Sequence, residues 1–85
     1  MKSDANFYYR LYDGNSSKDF KIACRLIESK FSGLEKNNLV MDVDGSVIQI
    51  YLHGLDRIVV NNDCFVGAIY VESDERLDFL EEENN

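Results

Sequence analysis

The chain has 85 residues, of which 45% are apolar and 29% are charged, and its formal net charge at pH 7 is −7. This composition predicts one globular domain over residues 1–85 and argues against an intrinsically disordered chain. The negative charge argues against direct binding to DNA, RNA or an anionic membrane, because each of these requires a basic surface.

The first predicted elements are a strand and a helix. Aromatic residues dominate positions 7–12, as is typical of a strand, and a turn sequence at 13–15 interrupts them. Ser16, with Asp19 three positions later, forms an approximate capping box before a run with helical spacing, and Gly33 is suited to end that helix. The apolar residues on one side of the predicted helix are Phe20, Ala23, Cys24, Ile27 and Phe31.

After Asn38 the apolar period changes to two residues, which predicts strands. Asp44 and Gly45 favour a two-residue hairpin turn, because both central positions of a type I′ turn need positive φ. That turn pairs Val43 with Ser46, Met41 with Ile48, and Leu39 with Ile50. It places one apolar set on the buried face of the sheet: Leu39, Met41, Val43, Ile48, Ile50 and Leu52.

A second hairpin is predicted from a strand over 57–61, a tight turn at Asn62 and Asp63, and a strand over 64–72. Its buried face would carry Ile58, Val60, Phe65, Ile69 and Val71. Residues 73–75 are suited to cap a short C-terminal helix. The order β-α-β-β-β-β, with that short helix, predicts an α+β fold: an antiparallel sheet of about four or five strands with one main helix packed on one face.

Patterns that would support catalysis are weak. His53 lies at a predicted strand end near Asp56, but no nucleophile elbow accompanies it, which favours a surface histidine. The segment 42–45 begins like a calcium loop, but its glycine follows Asp44 directly and position 51 is not the required glutamate. We therefore expect no enzymatic activity and no cofactor.

The two cysteines and the lack of long apolar runs predict a cytoplasmic protein with free thiols. Cys24 and Cys64 lie in apolar-patterned segments and are expected to be buried free thiols; with His53 they are too few for a four-ligand zinc site. Charged residues interrupt the first twenty positions, so no apolar run forms a signal peptide. No stretch approaches the ~20 apolar residues of a membrane span, and a cytoplasmic location is expected.

Charge is distributed unevenly along the chain. Residues 1–36 carry seven bases and five acids, whereas residues 72–85 carry seven acids and one base. This asymmetry indicates an electrostatic partner. The alternative is an acidic C-terminal segment, 72–85, that only increases solubility.

The predicted register leaves one sheet face that the helix does not cover. That face combines tyrosines, arginines and small apolar groups, a composition typical of protein-binding surfaces. The alternative is that such residues are favoured in any strand. The face would carry Tyr8, Arg10, Tyr12, Val40, Asp42, Val47, Gln49, Tyr51, His53, Arg57, Val59, Val66, Ala68 and Tyr70.

Two functions agree with these features. The first is an acidic binding protein that inhibits or sequesters a basic protein partner, such as a nuclease or another nucleic-acid-handling protein, by placing carboxylates where phosphates would bind. In size and charge the chain is similar to bacterial toxin-immunity proteins and phage-encoded anti-defence proteins. The expected contacts are Asp42, Asp44, Asp56, Asp63, Glu72, Asp74, Glu75 and Asp78, with Tyr51 and Tyr70 as aromatic anchors.

The second function is a small structural or adaptor subunit. It would self-associate as a homodimer, or bind another protein, through the tyrosine-bearing sheet face, and its acids would only aid solubility. Salt dependence distinguishes the two functions, because charge contacts are screened by salt and apolar contacts are not.

Overall fold

The computed structural model describes residues 6–83, with side chains described as far as Leu80. Within this range six strands form one antiparallel sheet in the order β1-β6-β5-β4-β2, and β3 also pairs with β4. The elements are β1 Phe7–Asp13, α1 Ser17–Lys30, β2 Glu35–Lys36, β3 Val40–Met41, β4 Val47–His53, β5 Asp56–Asp63, β6 Ala68–Ser73 and α2 Asp78–Glu83. The predicted α+β class is confirmed.

Helix α1 begins where the sequence predicts. The Ser16 hydroxyl accepts a hydrogen bond from the amide of Asp19 at 3.1 Å, which satisfies one of the free amides of the first turn. The helix ends at Lys30, because Phe31 is extended, and the left-handed residue Gly33, at φ +74°, follows in the loop. The buried residues of the helix are Phe20, Ala23, Cys24 and Ile27, as predicted.

The core lies between the sheet and both helices, which pack on the same face. Helix α1 connects β1 at one edge of the sheet with β2 at the other, so it crosses this face. The segment before α2 is fixed by the amide of Leu77, which donates to the buried Tyr9 hydroxyl at 2.9 Å. We call this side the helix face and the opposite side the open face. The core cluster comprises Tyr9, Phe20, Ala23, Cys24, Ile27, Tyr51, Ile58, Val60, Ile69, Val71, Leu77 and Leu80.

The predicted register of the first hairpin is wrong by one residue. Val40 lies opposite Ile48, and Met41 opposite Val47. The amide of Asp42 donates to the carbonyl of Ser46 and the amide of Gly45 donates to the carbonyl of Asp42, so the loop has three residues, with Gly45 at φ +91°. A two-residue type I′ turn would also need positive φ at position 44, and within residues 6–83 only glycines have it.

A shift of one residue exchanges the two faces of a strand. Strand β4 therefore directs Val47, Gln49 and Tyr51 to the helix face, whereas Ile48, Ile50 and Leu52 lie half-buried on the open face. The other residues predicted to be buried by this hairpin, Leu39, Met41 and Val43, are exposed.

The predicted tight turn at Asn62 and Asp63 is also wrong. Strand β5 continues to Asp63, which pairs with Ala68, and the four residues 64–67 form the loop. The Asp63 carboxylate accepts the amides of Phe65 and Val66 at 2.9 and 3.1 Å, which stabilises this longer loop.

The longer loop changes two further expectations. Phe65 is 91% exposed instead of buried, and Cys64 is exposed, whereas Cys24 is buried as predicted. The rest of the predicted face is confirmed, because the residues on it are fully buried. They are Ile58, Val60, Ile69 and Val71.

A bulge in β1 moves one tyrosine off the open face. The register shifts between Arg10, which lies opposite Tyr70, and Tyr12, which lies opposite the buried Ile69. Tyr12 therefore packs against the core, while Tyr8 and Arg10 remain on the open face.

Candidate protein-binding surface

The β3–β4 and β5–β6 loops enclose a hollow of about 230 Å³ at one end of the sheet. Three aspartates line it, and no lysine, arginine or histidine is among the described residues of its wall. We call it the acidic hollow. Its lining residues are Asp42, Asp44, Ser46, Ile48, Asn61, Asn62, Asp63, Phe65 and Tyr70.

Hydrogen bonds between the loops hold the hollow in one shape. The Ser46 hydroxyl accepts the amide of Cys64 at 2.9 Å, which joins the two loops. The Asn15 side-chain amide donates to the Cys64 sulfur at 3.1 Å, and the amide of Gly14 donates to the carbonyl of Gly67 at 2.6 Å. The site is therefore formed before any partner arrives, which reduces the entropy cost of binding.

The three carboxylates also stabilise their own loops. Asp42 accepts the amide of Val43 at 2.7 Å, and Asp44 accepts the amide of Ser46 at 2.8 Å. The Ser46 amide lowers the pKa of the Asp44 carboxyl, which keeps it ionised over a wide pH range. Asp42 and Asp44 are exposed, so their charge is available to a partner.

Tyr70 lines the hollow and donates a hydrogen bond there. Its hydroxyl donates to the second oxygen of Asp63 at 3.2 Å. Burial, with the neighbouring Asp63 charge, raises the pKa of Tyr70 to about 12, so the phenol stays protonated. Its ring lies against that of Tyr8, with the ring centroids 5.0 Å apart.

Exposed apolar side chains stand beside the carboxylates. Val43 is fully exposed, Phe65 is 91% exposed and Val66 is 52% exposed, all on the two loops that form the hollow. Large apolar residues at loop tips next to charges are suited to act as anchors in a protein interface. The sequence prediction missed Val43 and Phe65, because it placed both on a buried face. An aspartate followed four residues later by glycine, at Asp63 and Gly67, is the signal that indicates the longer loop.

The structure divides the predicted acidic contacts between two ends of the sheet. Asp42, Asp44 and Asp63 line the hollow, whereas Asp56 lies at the far end of β5, roughly 23 Å from Asp63 at ~3.3 Å per residue. Glu72 lies on the open face between them, opposite Tyr8 and Val59. Asp74, Glu75 and Asp78 lie at or near the far end, after β6.

Three of the acids at or near the far end already have partners within the chain. Asp74 accepts the amide of Arg57 at 2.9 Å, and Asp78 forms an ion pair with Arg76 at 2.9 Å. Glu75 contacts His53, with 2.7 Å between Oε2 and Nδ1. His53 is a partly exposed histidine on the helix face, where its ring contacts Phe31.

Tyr51 is not a surface anchor, which corrects the sequence prediction. The side chain is fully buried in the core, and its hydroxyl donates to Glu28 Oε2 at 2.6 Å. Lys36 contacts the same oxygen at 3.0 Å, so the three residues connect α1, β2 and β4. Tyr51 therefore belongs to the framework of the fold.

The open face continues from the hollow as an apolar surface. Ile50, Leu52 and Val59 lie half-buried on it, and Ile48 and Tyr70 belong to both the face and the hollow. The helices pack on the other side of the sheet, so within residues 6–83 no element covers this apolar stripe of Ile50, Leu52 and Val59. Acidic and apolar contacts are thus available to one partner.

No protein-family model matches the chain. No curated protein and no solved structure matches it either. The function is therefore inferred from the site itself.

In residues 6–83 neither helix is long and apolar enough to cross a membrane. Within the described side chains, no three His, Cys, Asp or Glu residues are grouped to hold a metal ion.

Proposed function

We propose that the chain is a non-enzymatic, cytoplasmic binding protein that inhibits or sequesters a basic protein partner. The observation that carries this proposal is the acidic hollow, which three aspartates line without any basic side chain in the wall. A protein that binds through Lys or Arg side chains, and that offers an apolar pocket for Phe65 or Val43, fits this surface.

The chemistry of the hollow favours a partner that normally binds nucleic acid. Such proteins hold phosphates with Lys and Arg side chains, and a rigid group of carboxylates can occupy the same positions. The net charge of −7 would also accelerate the encounter with a basic protein. Toxin-immunity and phage anti-defence proteins act on partners of this kind, and a nuclease is the partner that we expect.

The test replaces the three charges and keeps the loops. In the variant Asp42→Asn/Asp44→Asn/Asp63→Asn each side chain retains an oxygen that can accept the loop amides. The matched control, Asp56→Asn/Asp74→Asn/Glu75→Gln, removes the same charge from the far end. Each protein is immobilised, incubated with an extract of the source cells, and washed first at about 50 mM and then at about 500 mM salt.

We expect wild type and the far-end control to release a basic protein in the high-salt wash, and the hollow variant to release little of it. The released protein is then assayed for nuclease activity with and without added wild-type chain, and the chain should inhibit it. Equal recovery on both variants would contradict the proposal, as would a partner that lacks basic character.

The open face supports a second candidate, an adaptor that binds through apolar contacts. The observation that favours it is the uncovered stripe of Ile50, Leu52 and Val59, next to the Tyr8–Tyr70 ring pair. For this function a partner, or a second copy of the chain, should remain bound at about 500 mM salt. Replacement of Tyr8 and Ile50 by serine should then remove it, while the hollow variant should not.

A further inference from the structure

A second concave surface has the opposite polarity. A groove of about 420 Å³ lies between α1 and the sheet, where Lys36 of β2, Leu39, and Val47 and Gln49 of β4 form its wall. Strand β3 follows directly after Leu39. Its floor is apolar, with Phe20, Cys24 and Val47, and Lys21 and Arg25 of α1 lie at its rim. We call it the basic groove.

The groove concentrates positive side chains in a chain whose net charge is −7. Lys21 and Arg25 are exposed, and neither forms an ion pair with any side chain in residues 6–80. Lys36, also in the wall, is paired with Glu28 at 3.0 Å. Both side chains are therefore exposed beside an apolar floor, and Arg25 also lies close enough to Glu28 to interact with its charge.

The sheet edge beside the groove has free backbone groups. Bonded and non-bonded pairs alternate along an antiparallel ladder. Because the Asp42 amide bonds to Ser46, the amide and carbonyl of Met41 point away from β4. Leu39 and Met41 lie on the helix-face side of the edge and are 51% and 69% exposed. Unpaired backbone groups at an exposed sheet edge can accept an added strand.

We propose that β3 accepts an extended acidic segment of a partner protein as an added strand. Backbone hydrogen bonds from Met41 would fix the segment, and its alternate side chains would project to the helix face. Acidic residues at those positions would meet Lys21 and Arg25. This site is separate from the acidic hollow and goes beyond the proposed function.

A second copy of this chain fits the edge less well. Antiparallel pairing of two β3 edges would bring the partner's helix-face residues to the groove, and in this chain these are the uncharged Leu39 and Met41. Lys21 and Arg25 would then gain no acidic partner from the second copy. Charge complementarity therefore favours an acidic partner segment.

The direct test uses a defined probe. A fluorescent peptide of about nine residues, alternating valine and glutamate, is titrated with the full chain and followed by anisotropy. A neutral valine–glutamine peptide of the same length is the matched probe. We expect it to bind about tenfold more weakly than the glutamate peptide, because it offers no charge to Lys21 and Arg25. Failure of the glutamate peptide to bind would overturn the proposal, and strong self-association of the chain with no peptide binding would assign the edge to a second copy.

Two variants locate the binding on the chain. Lys21→Glu/Arg25→Glu should weaken binding of the glutamate peptide about tenfold, because two surface ion pairs are lost. Lys18→Glu/Lys30→Glu, on the same helix and outside the groove, makes the same charge change and should have less than about twofold effect. Equal weakening by both variants would overturn the proposal, because the peptide would then respond to the positive charge of α1 in general and not to the groove.

The backbone role is tested separately. Met41→Pro removes the outward amide and leaves the inward ladder bonds of β3 available, so it should abolish peptide binding. Amide NMR spectra of this variant show whether it is folded. A second measurement uses wild type with peptides N-methylated on alternate amides, where one of the two methylation registers should prevent binding. Binding that is unaffected by either N-methylation register would contradict an added strand.

Discussion

At the residue scale, Tyr51 connects strand β4 to helix α1 through one buried hydroxyl group. Its hydroxyl donates to Glu28, and Lys36 contacts the same carboxylate. Burial and the hydrogen bond to Glu28 raise the pKa of Tyr51, and the same bond lowers the pKa of Glu28. Burial also raises the pKa of the adjacent Cys24 thiol, which stays protonated.

The first prediction is that Tyr51→Phe lowers the free energy of unfolding by about 1 kcal/mol at pH 7, the usual contribution of such a hydrogen bond. The folded pKa of Glu28 lies below its unfolded value of ~4.3, so its stabilisation is present above that pH and is lost as the pH falls through the folded pKa. The difference between wild type and variant should therefore shrink at low pH. Urea unfolding at about pH 7 and about pH 3 measures it.

Tyr8→Phe is the matched control, because Tyr8 is 56% exposed and on the opposite face. It should change the free energy of unfolding by less than about 0.5 kcal/mol at either pH. A difference between wild type and Tyr51→Phe that is the same at both pH values would show that Glu28 does not take part.

At the element scale, the β3–β4 hairpin depends on one glycine. Gly45 has φ +91° and closes the three-residue loop that determines the register of β3 against β4. A Cβ at this position would be 3.6 Å from the Cys64 sulfur, which is ordinary van der Waals contact. The cost of a side chain here is therefore the strain of the left-handed backbone.

The second prediction is that Gly45→Ala lowers the free energy of unfolding by about 1–2 kcal/mol. Gly45→Asn should cost clearly less, because asparagine tolerates the left-handed region. Urea unfolding of the three proteins provides the comparison. Equal costs for alanine and asparagine would indicate a steric cause and contradict the backbone explanation.

The same hairpin shows how far the sequence determines these elements. Helix α1 was predictable because its apolar period is clear and Ser16 provides a cap. In β4 both alternating sets are largely apolar, so only the loop length decides which set is buried. The two-residue turn favoured by Asp44 and Gly45 gave the wrong length, and Tyr51 was therefore placed on the wrong face.

The candidate site was predictable in part for the same reason. The three aspartates of the hollow were expected as contacts from charge alone, but their grouping depends on two loops that lie apart in the sequence. The β5–β6 loop is longer than a tight turn, and this exposes Phe65 next to Asp63. Composition indicates the polarity of a partner, whereas the tertiary structure decides which carboxylates can meet it.

At the scale of the whole molecule, charge is sorted between two surfaces. The acidic hollow lies at one end of the open face, and the basic groove lies on the helix face beside β3. A chain whose only requirement was solubility would not need either grouping. The two surfaces can thus serve different partners at the same time, or different parts of one partner.

The third prediction separates binding from stability. Asp42→Asn/Asp44→Asn/Asp63→Asn keeps the oxygen that caps each loop and removes charge from a chain at −7, so its free energy of unfolding should stay within about 1 kcal/mol of wild type. Its affinity for the captured basic partner should fall at least about tenfold, and its dependence on salt should become weaker. Asp56→Asn/Asp74→Asn/Glu75→Gln should keep both affinity and salt dependence, because Asp56 lies roughly 23 Å from Asp63 at ~3.3 Å per residue, and Asp74 and Glu75 bond to Arg57 and His53 at the same end of the sheet. Urea unfolding and titrations at about 50 and about 500 mM salt measure the two properties on the same proteins. If the far-end variant loses as much affinity as the hollow variant, the contact is spread over the whole acidic surface and the hollow is not its centre.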